Sequence, residues 1–183
     1  ENPSKGLPSG SGLMALFDAA TGLPSALLLD NGFLTDIRTG AAGAITADYL
    51  APPEIGTVGI IGSGLQARFQ VRCLRSVRAV SRMIVWSPTR SRLEAYCAEM
   101  EAEGYAVRAA SGAEEVCGTA DVVITTTPSR VPIIRAEWLR PGMHIDLIGA
   151  FRPDMCEADA EAFARARVFV DTHEGAREEG GDL

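Results

Sequence analysis

The chain has 183 residues, enough for one well-buried domain or for one domain with part of another. A net charge of -7 argues against a nucleic-acid partner, and no apolar run approaches the ~18 residues of a membrane span. The four cysteines form no C-x-x-C pair, and the two histidines are too isolated to indicate a metal site. We expect a reduced, cytoplasmic protein without metal, membrane or nucleic-acid partners. Because the first residue is Glu1 rather than Met, we also expect a piece of a longer protein.

The first 52 residues predict a β-hairpin followed by a linking helix. Two short apolar runs, residues 13–17 and 25–29, flank a turn that contains Gly22. Residues 35–50 are predicted to form a helix rich in glycine and alanine. Small residues let a helix approach its neighbour closely, and we expect this helix to pack on a sheet. Thr35 or Asp36 is expected to cap the start of this helix, and Pro52-Pro53 to end it.

From residue 53 the sequence alternates between strands and helices. The predicted strands are residues 58–61, 83–86, 106–109, 122–126, 144–148 and 168–170, and the predicted helices are residues 66–77, 91–103, 113–117 and 158–166. Apolar strands separated by helices indicate βαβ units and a parallel sheet buried on both faces. The sequence therefore predicts an α/β, Rossmann-type doubly wound fold over residues 53–183.

A glycine loop follows the first of these strands and opens a helix. Its pattern is G-x-G-x-x-A, formed by Gly62, Ser63, Gly64, Leu65, Gln66 and Ala67. The first glycine permits the tight turn, the second lets the backbone approach a pyrophosphate, and the small last residue lets helix and strand pack. The helix N-terminus then offers free N–H groups to the phosphates. The loop predicts a bound dinucleotide, with a ligand-free βα turn as the alternative.

The residues after the second strand favour NADP(H) over NAD(H). A site for NAD(H) usually has an acid at this point to hold the ribose 2′-hydroxyl, whereas Trp86 is followed by hydroxyls and guanidiniums. Those residues are Ser87, Thr89, Arg90 and Arg92. Guanidiniums suit a 2′-phosphate, although the two arginines could also simply be solvated on the first turn of the next helix.

Five segments resemble the ornithine cyclodeaminase/μ-crystallin family, in the family's order along the chain. They are Gly6-Leu7-Pro8-Ser9, Leu34-Thr35-Asp36-Ile37-Arg38-Thr39, the glycine loop with Gln66, Gly149-Ala150-Phe151-Arg152-Pro153-Asp154, and the closing Val170-Asp171-Thr172 with Glu179-Gly180-Gly181-Asp182-Leu183. The resemblance implies that residues 1–52 are part of an α+β substrate and dimerisation domain. It implies that residues 53–183 are an NAD(P)-binding Rossmann domain, and that the full-length protein is a homodimer acting on small imino or amino acids.

The resemblance also assigns roles to single residues. Arg38 matches the family arginine that clamps the substrate carboxylate beside the cofactor, a role for which a planar guanidinium is suited. Its alternative role is that of an exposed helix arginine. Thr39 is expected near the cofactor phosphates, and Ser9, Thr127 and Ile148 at further cofactor contacts. The alternative for Thr127 is a polar residue that only ends the fourth strand.

One departure from the family pattern bears on the reaction. Cyclodeaminases of the family carry a catalytic aspartate where this sequence has Phe151, and a phenyl ring cannot accept a proton. Ketimine reductases of the family tolerate a non-acid there and share the following Arg-Pro-Asp. We therefore expect an NAD(P)H-dependent reductase of cyclic ketimine acids in which Phe151 shapes the substrate pocket. The alternatives are ornithine cyclodeamination, alanine dehydrogenation and binding of NADPH and a small ligand without turnover. No residue of the sequence is identified as the proton donor.

Overall fold

The structure, a computed structural model, describes residues 5–7 and 10–181. Strands β1 (Met14–Phe17) and β2 (Pro24–Leu28) pair antiparallel, which confirms the predicted hairpin. Asp18 closes its turn, because Asp18 Oδ1 accepts hydrogen bonds from Thr21 N and Thr21 Oγ1, both at 2.7 Å.

A five-stranded parallel sheet forms the centre of the molecule, in the order β5-β4-β3-β6-β8. Its strands are β3 (Val58–Ile61), β4 (Arg82–Trp86), β5 (Ala106–Ala109), β6 (Val122–Thr125) and β8 (His144–Leu147). The connecting helices are α2 (Leu65–Val77), α3 (Arg90–Ala102) and α4 (Ala113–Thr119). Alternate strand residues enter separate apolar cores on the two faces, one with α2 and α3 and the other with α4. The doubly wound α/β fold is confirmed.

Helix α1 (Phe33–Leu50) packs mainly on helix α2, so its predicted position on a sheet was wrong. The small residues nevertheless allow the close approach. A Cβ atom added to Gly40 would lie 2.9 Å from the Phe69 carbonyl oxygen of α2. The predicted cap was also wrong, because the chain turns at Gly32 (φ +91°) and the helix begins before Thr35. Asp30 Oδ2 instead accepts a hydrogen bond from Leu34 N at 2.8 Å.

A small second sheet lies beside α5 (Ala160–Arg165). Strands β7 (Arg130–Ile134) and β9 (Cys156–Ala158) pair in parallel, and neither was predicted. Pro132 in β7 argues against a central strand but is tolerated in a two-stranded sheet. The predicted helix 158–166 is shorter because Ala158 ends β9 and Asp159 caps α5, accepting from Ala162 N at 2.8 Å.

The C-terminal part differs most from the prediction. Residues 168–170 are not a strand, since they pair with none of the described strands and their side chains are exposed. Helix α6 (His173–Glu179) follows, and the sequence pattern did not indicate it. Within residues 5–7 and 10–181, no helix has the length and hydropathy needed to cross a membrane, and no cluster of three metal-ligating side chains occurs.

Candidate cofactor and substrate site

The loops after β3, β4, β6 and β8 all leave the same edge of the sheet, because parallel strands end on one side. From β3 the chain proceeds outward through β4 and β5, then returns to the other side of β3 with β6. The crevice between β3 and β6 is thus the switch point at which ligands bind in open α/β sheets.

The glycine loop has the geometry that its two glycines predict. Gly62 adopts a φ of +106°, and a Cβ atom there would lie 2.8 Å from Thr126 Oγ1, so only glycine fits. Gly64 has ordinary dihedral angles, and an added Cβ atom would meet no protein atom within 4 Å. The backbone at Gly64 is therefore open to a ligand. Helix α2 begins there without a side-chain cap or an acidic residue in its first turn.

Arg68 holds the loop from the helix side, a role that the sequence interpretation missed. Its guanidinium donates from Nη1 to the carbonyl oxygens of Ser63 and Gly64, each at 2.9 Å. It also pairs with Glu99 of α3 at 2.7 Å and lies over the Tyr96 ring. With the carbonyl groups held by Arg68, the loop is tied to two helices. The sequence signal that could have indicated this role is an arginine located one turn into the helix that follows the glycine loop.

The β4 loop joins the glycine loop through a pair of hydroxyl groups. Ser63 Oγ donates to Ser87 Oγ at 2.9 Å, which brings these two predicted cofactor residues together. Thr89, Arg90 and Arg92 follow at the exposed start of α3. Arg90 Nε pairs with Glu94 one helical turn later at 2.7 Å, so part of its guanidinium already has a carboxylate partner.

Helix α1 places Arg38 next to the start of α2. Gln66 Nε2 donates to Asp36 Oδ1 at 2.7 Å, and Gln70 Nε2 donates to the Thr39 carbonyl oxygen at 3.1 Å. Arg38 lies between these two tethers with an exposed side chain. The Thr39 hydroxyl donates to the Thr35 carbonyl oxygen at 2.9 Å within the helix. Within the described part of the chain, Gln66 Oε1 is buried without a hydrogen-bond partner, which suits a polar ligand group beside the loop.

On the other side of the crevice, Thr127 and Ile148 follow β6 and β8. Ile148 N donates to the Thr125 carbonyl oxygen at 3.0 Å and extends the ladder between these strands. Thr127 is buried and donates to Glu157, a fully buried carboxylate of β9 that the sequence interpretation missed. Burial raises the pKa of Glu157, and its hydrogen-bond donors oppose that rise. A single acid in a short strand gives no sequence signal for this role.

Phe151 lies just beyond β8, and its side chain is exposed. The Arg152 guanidinium stacks over its ring at 5.8 Å and pairs with Asp154 at 3.2 Å, while Arg130 pairs with the same carboxylate at 3.1 Å. The Arg-Pro-Asp segment is thus an ion-paired turn beside Phe151. The predicted cofactor residue Ser9 lies outside the described residues.

Comparison with known proteins identifies the family. The model of the ornithine cyclodeaminase/mu-crystallin family matches residues 1–182. The chain belongs to this family.

Individual relatives agree with the family assignment. A putative dehydrogenase of Rhizobium meliloti is 39% identical over 181 residues, covering 98% of this chain and 55% of that protein. The solved Δ1-pyrroline-2-carboxylate reductase of Thermococcus litoralis, in complex with NADH and L-proline, is 33% identical with a TM-score of 0.94, covering 99% of this chain and 56% of its own. An archaeal alanine dehydrogenase dimer with bound NAD is 38% identical with a TM-score of 0.89, covering 96% and 54%. The chain spans about half the length of these relatives.

The residues present fit a nicotinamide cofactor of the kind bound in these two solved relatives. The open backbone at Gly64, the uncapped start of α2 and the hydrogen-bonded hydroxyls of Ser63 and Ser87 all lie at the carboxyl ends of β3 and β4. The residues predicted for the cofactor from Gly62 to Arg92 therefore lie on adjoining loops.

Proposed function

We propose that the full-length protein catalyses the NAD(P)H-dependent reduction of a cyclic ketimine acid. The substrates would be Δ1-pyrroline-2-carboxylate or Δ1-piperideine-2-carboxylate, and the products proline or pipecolate. The observation that carries the proposal is the match of 99% of this chain to a reductase whose structure holds NADH and L-proline. That relative contains both the class of reductant and the product that we propose.

In this proposal, different residues of the chain bind the cofactor and the substrate. The amides from Gly62 to Gln66 would hold the pyrophosphate, and Thr127 and Ile148 would flank the nicotinamide, which supplies the hydride when the cofactor is bound. Arg38 would pair with the substrate carboxylate by a bidentate contact that fixes the orientation of the imine carbon. Such positioning of two reactants can contribute roughly 7–11 kcal/mol to a rate enhancement. The proton donor is not assigned.

Phe151 favours reduction over deamination. Its exposed ring lies where cyclodeaminases of the family carry an aspartate, and it offers no proton acceptor for removal of an amino group. An apolar ring at this point would pack against the methylene groups of a cyclic imino acid.

The test is an absorbance assay at 340 nm with the full-length protein. NADH or NADPH should be consumed when Δ1-pyrroline-2-carboxylate is added, and Arg38→Lys should raise KM for the imine far more than it lowers cofactor affinity. A lysine keeps the charge but loses the bidentate fork. No consumption with either cofactor would refute the proposal.

Alanine dehydrogenation is the second candidate, because an archaeal alanine dehydrogenase is 38% identical to this chain. Pyruvate and ammonia in place of the imine distinguish the two reactions in the same assay. Ammonia release from ornithine with catalytic NAD would instead identify a cyclodeaminase. Cofactor binding without turnover of any of these substrates would indicate a ligand-binding protein.

We further propose that NADP(H) is preferred over NAD(H), with Arg90 and Arg92 near the 2′-phosphate. Both are exposed on the first turn of α3, and no acid stands at the end of β4. Changing both to alanine should weaken NADPH binding by about tenfold or more, since hydrogen bonds between charged groups are among the strong ones. NADH binding is the internal control, and an equal loss for both cofactors would contradict the assignment.

A homodimer of the full-length protein also belongs to this proposal. The residues that support it are those of the β1–β2 hairpin, whose apolar side chains are exposed in this chain.

A further inference from the structure

Glu157 is a fully buried acid to which the proposed function assigns no role. It lies on β9, which belongs to the small sheet rather than to the five-stranded one. From there its side chain reaches the ends of β6 and β8, so it connects two parts of the fold that do not share a strand ladder.

The two carboxylate oxygens of Glu157 accept hydrogen bonds from residues on or just after β6 and β8. Oε1 accepts from the backbone N–H of Thr127 at 2.7 Å and from its hydroxyl at 2.6 Å. Oε2 accepts from the backbone N–H of Gly149 and from the Thr125 hydroxyl, both at 2.7 Å. One side chain therefore holds both loops by hydrogen bonds to a charged group, which are stronger than neutral ones.

The two loops also meet directly, backbone to backbone. A Cβ atom added to Gly149 would lie 2.0 Å from the Thr127 carbonyl oxygen and 2.6 Å from Glu157 Oε1. Glycine is therefore required at residue 149 by close packing, and the carboxylate sits against that contact.

We propose that Glu157 is a positioning residue that fixes the β6 and β8 loops as one rigid wall of the cofactor crevice. This inference rests on the proposed function, because Thr127 and Ile148 are the residues expected to flank the nicotinamide. The Thr127 hydroxyl proton is directed to Glu157, so Thr127 Oγ1 meets a ligand as an acceptor. It thereby selects a donor group, such as the N–H of a carboxamide.

Glutamine cannot replace this carboxylate. Each oxygen accepts a backbone N–H, and backbone donors cannot reverse their direction as hydroxyls can. In Glu157→Gln one of the two loops would face an NH₂ group, donor against donor. The matched control is Asp159→Asn, because Asp159 also accepts backbone N–H groups, from Ala162 and Ala136, but away from the crevice.

The first measurement is hydrogen exchange of the full-length protein without cofactor, followed by mass spectrometry. In Glu157→Gln, peptides covering residues 125–128 and 147–151 should exchange about tenfold faster or more, the factor for loss of a hydrogen bond to a charged group. Peptides of β3 should be unchanged. Thr125→Val removes only one donor to Oε2, so it should accelerate exchange in 147–151 more than in 125–128.

The second measurement is NADH binding by fluorescence. Glu157→Gln should raise Kd about tenfold, whereas Asp159→Asn should leave Kd unchanged even if it lowers Tm. Faster exchange throughout the protein, or unchanged exchange in both loops, would overturn the positioning role. If Glu157→Gln does not fold, the exchange of Thr125→Val tests the positioning role instead. Equal acceleration in residues 125–128 and 147–151 would then contradict that role. Local exchange changes in a protein that binds neither NADH nor NADPH would support the positioning role and refute the proposed function.

Discussion

At the scale of single residues, the two glycines of the glycine loop are required for different reasons, one for the fold and the other for access of a ligand. Gly62 is needed for the fold, since its φ is +106° and a side chain would strike Thr126. Gly64 is not needed for the fold, because its dihedral angles suit any residue and the space beside it is open. Its conformation is compatible with alanine, so its identity points to a ligand that approaches the backbone closely.

Gly64→Ala should therefore leave stability unchanged and weaken binding of NADH and NADPH by at least tenfold. The methyl group would occupy the space that a pyrophosphate needs, while removing no protein contact. Thermal unfolding and fluorescence titration measure the two effects. The matched control is Gly118→Ala, in α4 and equally free of steric contacts, which should retain affinity. Normal cofactor affinity in Gly64→Ala would contradict this role of the residue.

At the scale of elements, the packing of α1 on α2 determines where Arg38 lies. Gly40 meets the Phe69 carbonyl oxygen, and the tethers from Gln66 and Gln70 fix the register of the two helices. Arg38, which we propose binds the substrate carboxylate, is thus positioned by the same helix that begins at the glycine loop. This arrangement brings the two sequence segments together although Gly62 comes 24 residues after Arg38.

Gly40→Ala should destabilise the protein by about 1–3 kcal/mol, because the new methyl group overpacks a helix contact that includes backbone. It should also raise KM for the imine, since α1 must shift relative to α2. Urea unfolding and steady-state kinetics test the two effects. Ala42→Ser, on the exposed face of the same helix, should stay within about 0.5 kcal/mol. Equal stability of the two variants would show that the contact tolerates a side chain.

Helix α4 carries an electrostatic contribution that depends on pH. Hydrogen bonds from the Ser111 backbone and hydroxyl, with the Arg108 guanidinium, lower the pKa of Glu115 from its ordinary 4.5 to about 2. A lowered pKa in the folded state means that the stabilisation is present above pH 4.5 and is lost as pH falls toward 2.

In Glu115→Gln, Tm should therefore fall less steeply between pH 4.5 and pH 2 than in the unmodified protein. Thermal melts across this range measure the slope. Glu114→Gln, the same change of charge on the same turn, is the matched control. An unchanged slope in Glu115→Gln would mean that other carboxylates account for the acid sensitivity.

The parts of the fold that follow from local patterns could be predicted from the sequence, and those that depend on distant partners could not. The five strands of the central sheet and helices α2 to α4 are specified by apolar periodicity and by turn glycines, which act within a few residues. Strand β7 contains Pro132 and β9 is three residues long, so each is defined by its pairing with the other. The run 168–170 has strand-like composition, yet it pairs with none of the described strands.

The candidate site divides in the same way. The glycine loop and Ser87 carry local signals, the G-x-G-x-x-A pattern and the place directly after the second strand, and a hydrogen bond joins them in the structure. Arg68 and Glu157 act through backbone groups that the fold brings to them, from another helix turn and from another sheet. The pattern of apolar and polar residues gives no information on such contacts, because the partner is a backbone carbonyl or N–H group that almost every residue has.

At the scale of the whole molecule, the N-terminal hairpin is apolar on both faces and has no cover within the described residues. Met14, Leu16 and Phe17 of β1 are 41–60% exposed, and Leu27 and Leu28 of β2 are similarly exposed. Contiguous apolar surface of this kind marks an interaction site, whereas single exposed apolar residues are ordinary. A two-stranded hairpin is also marginally stable unless it packs against something else.

The isolated 183-residue chain should therefore self-associate in proportion to its concentration, through the hairpin. Changing Phe17 and Leu27 together to serine should shift sedimentation velocity profiles toward monomer, because the apolar area that drives association is lost. The far-ultraviolet circular dichroism of the five-stranded core should be unaffected, since neither residue belongs to its apolar clusters. Val77→Ser, a single exposed apolar residue at the end of α2, should not change the association. If the double variant associates as strongly as the unmodified chain, the contact surface lies elsewhere.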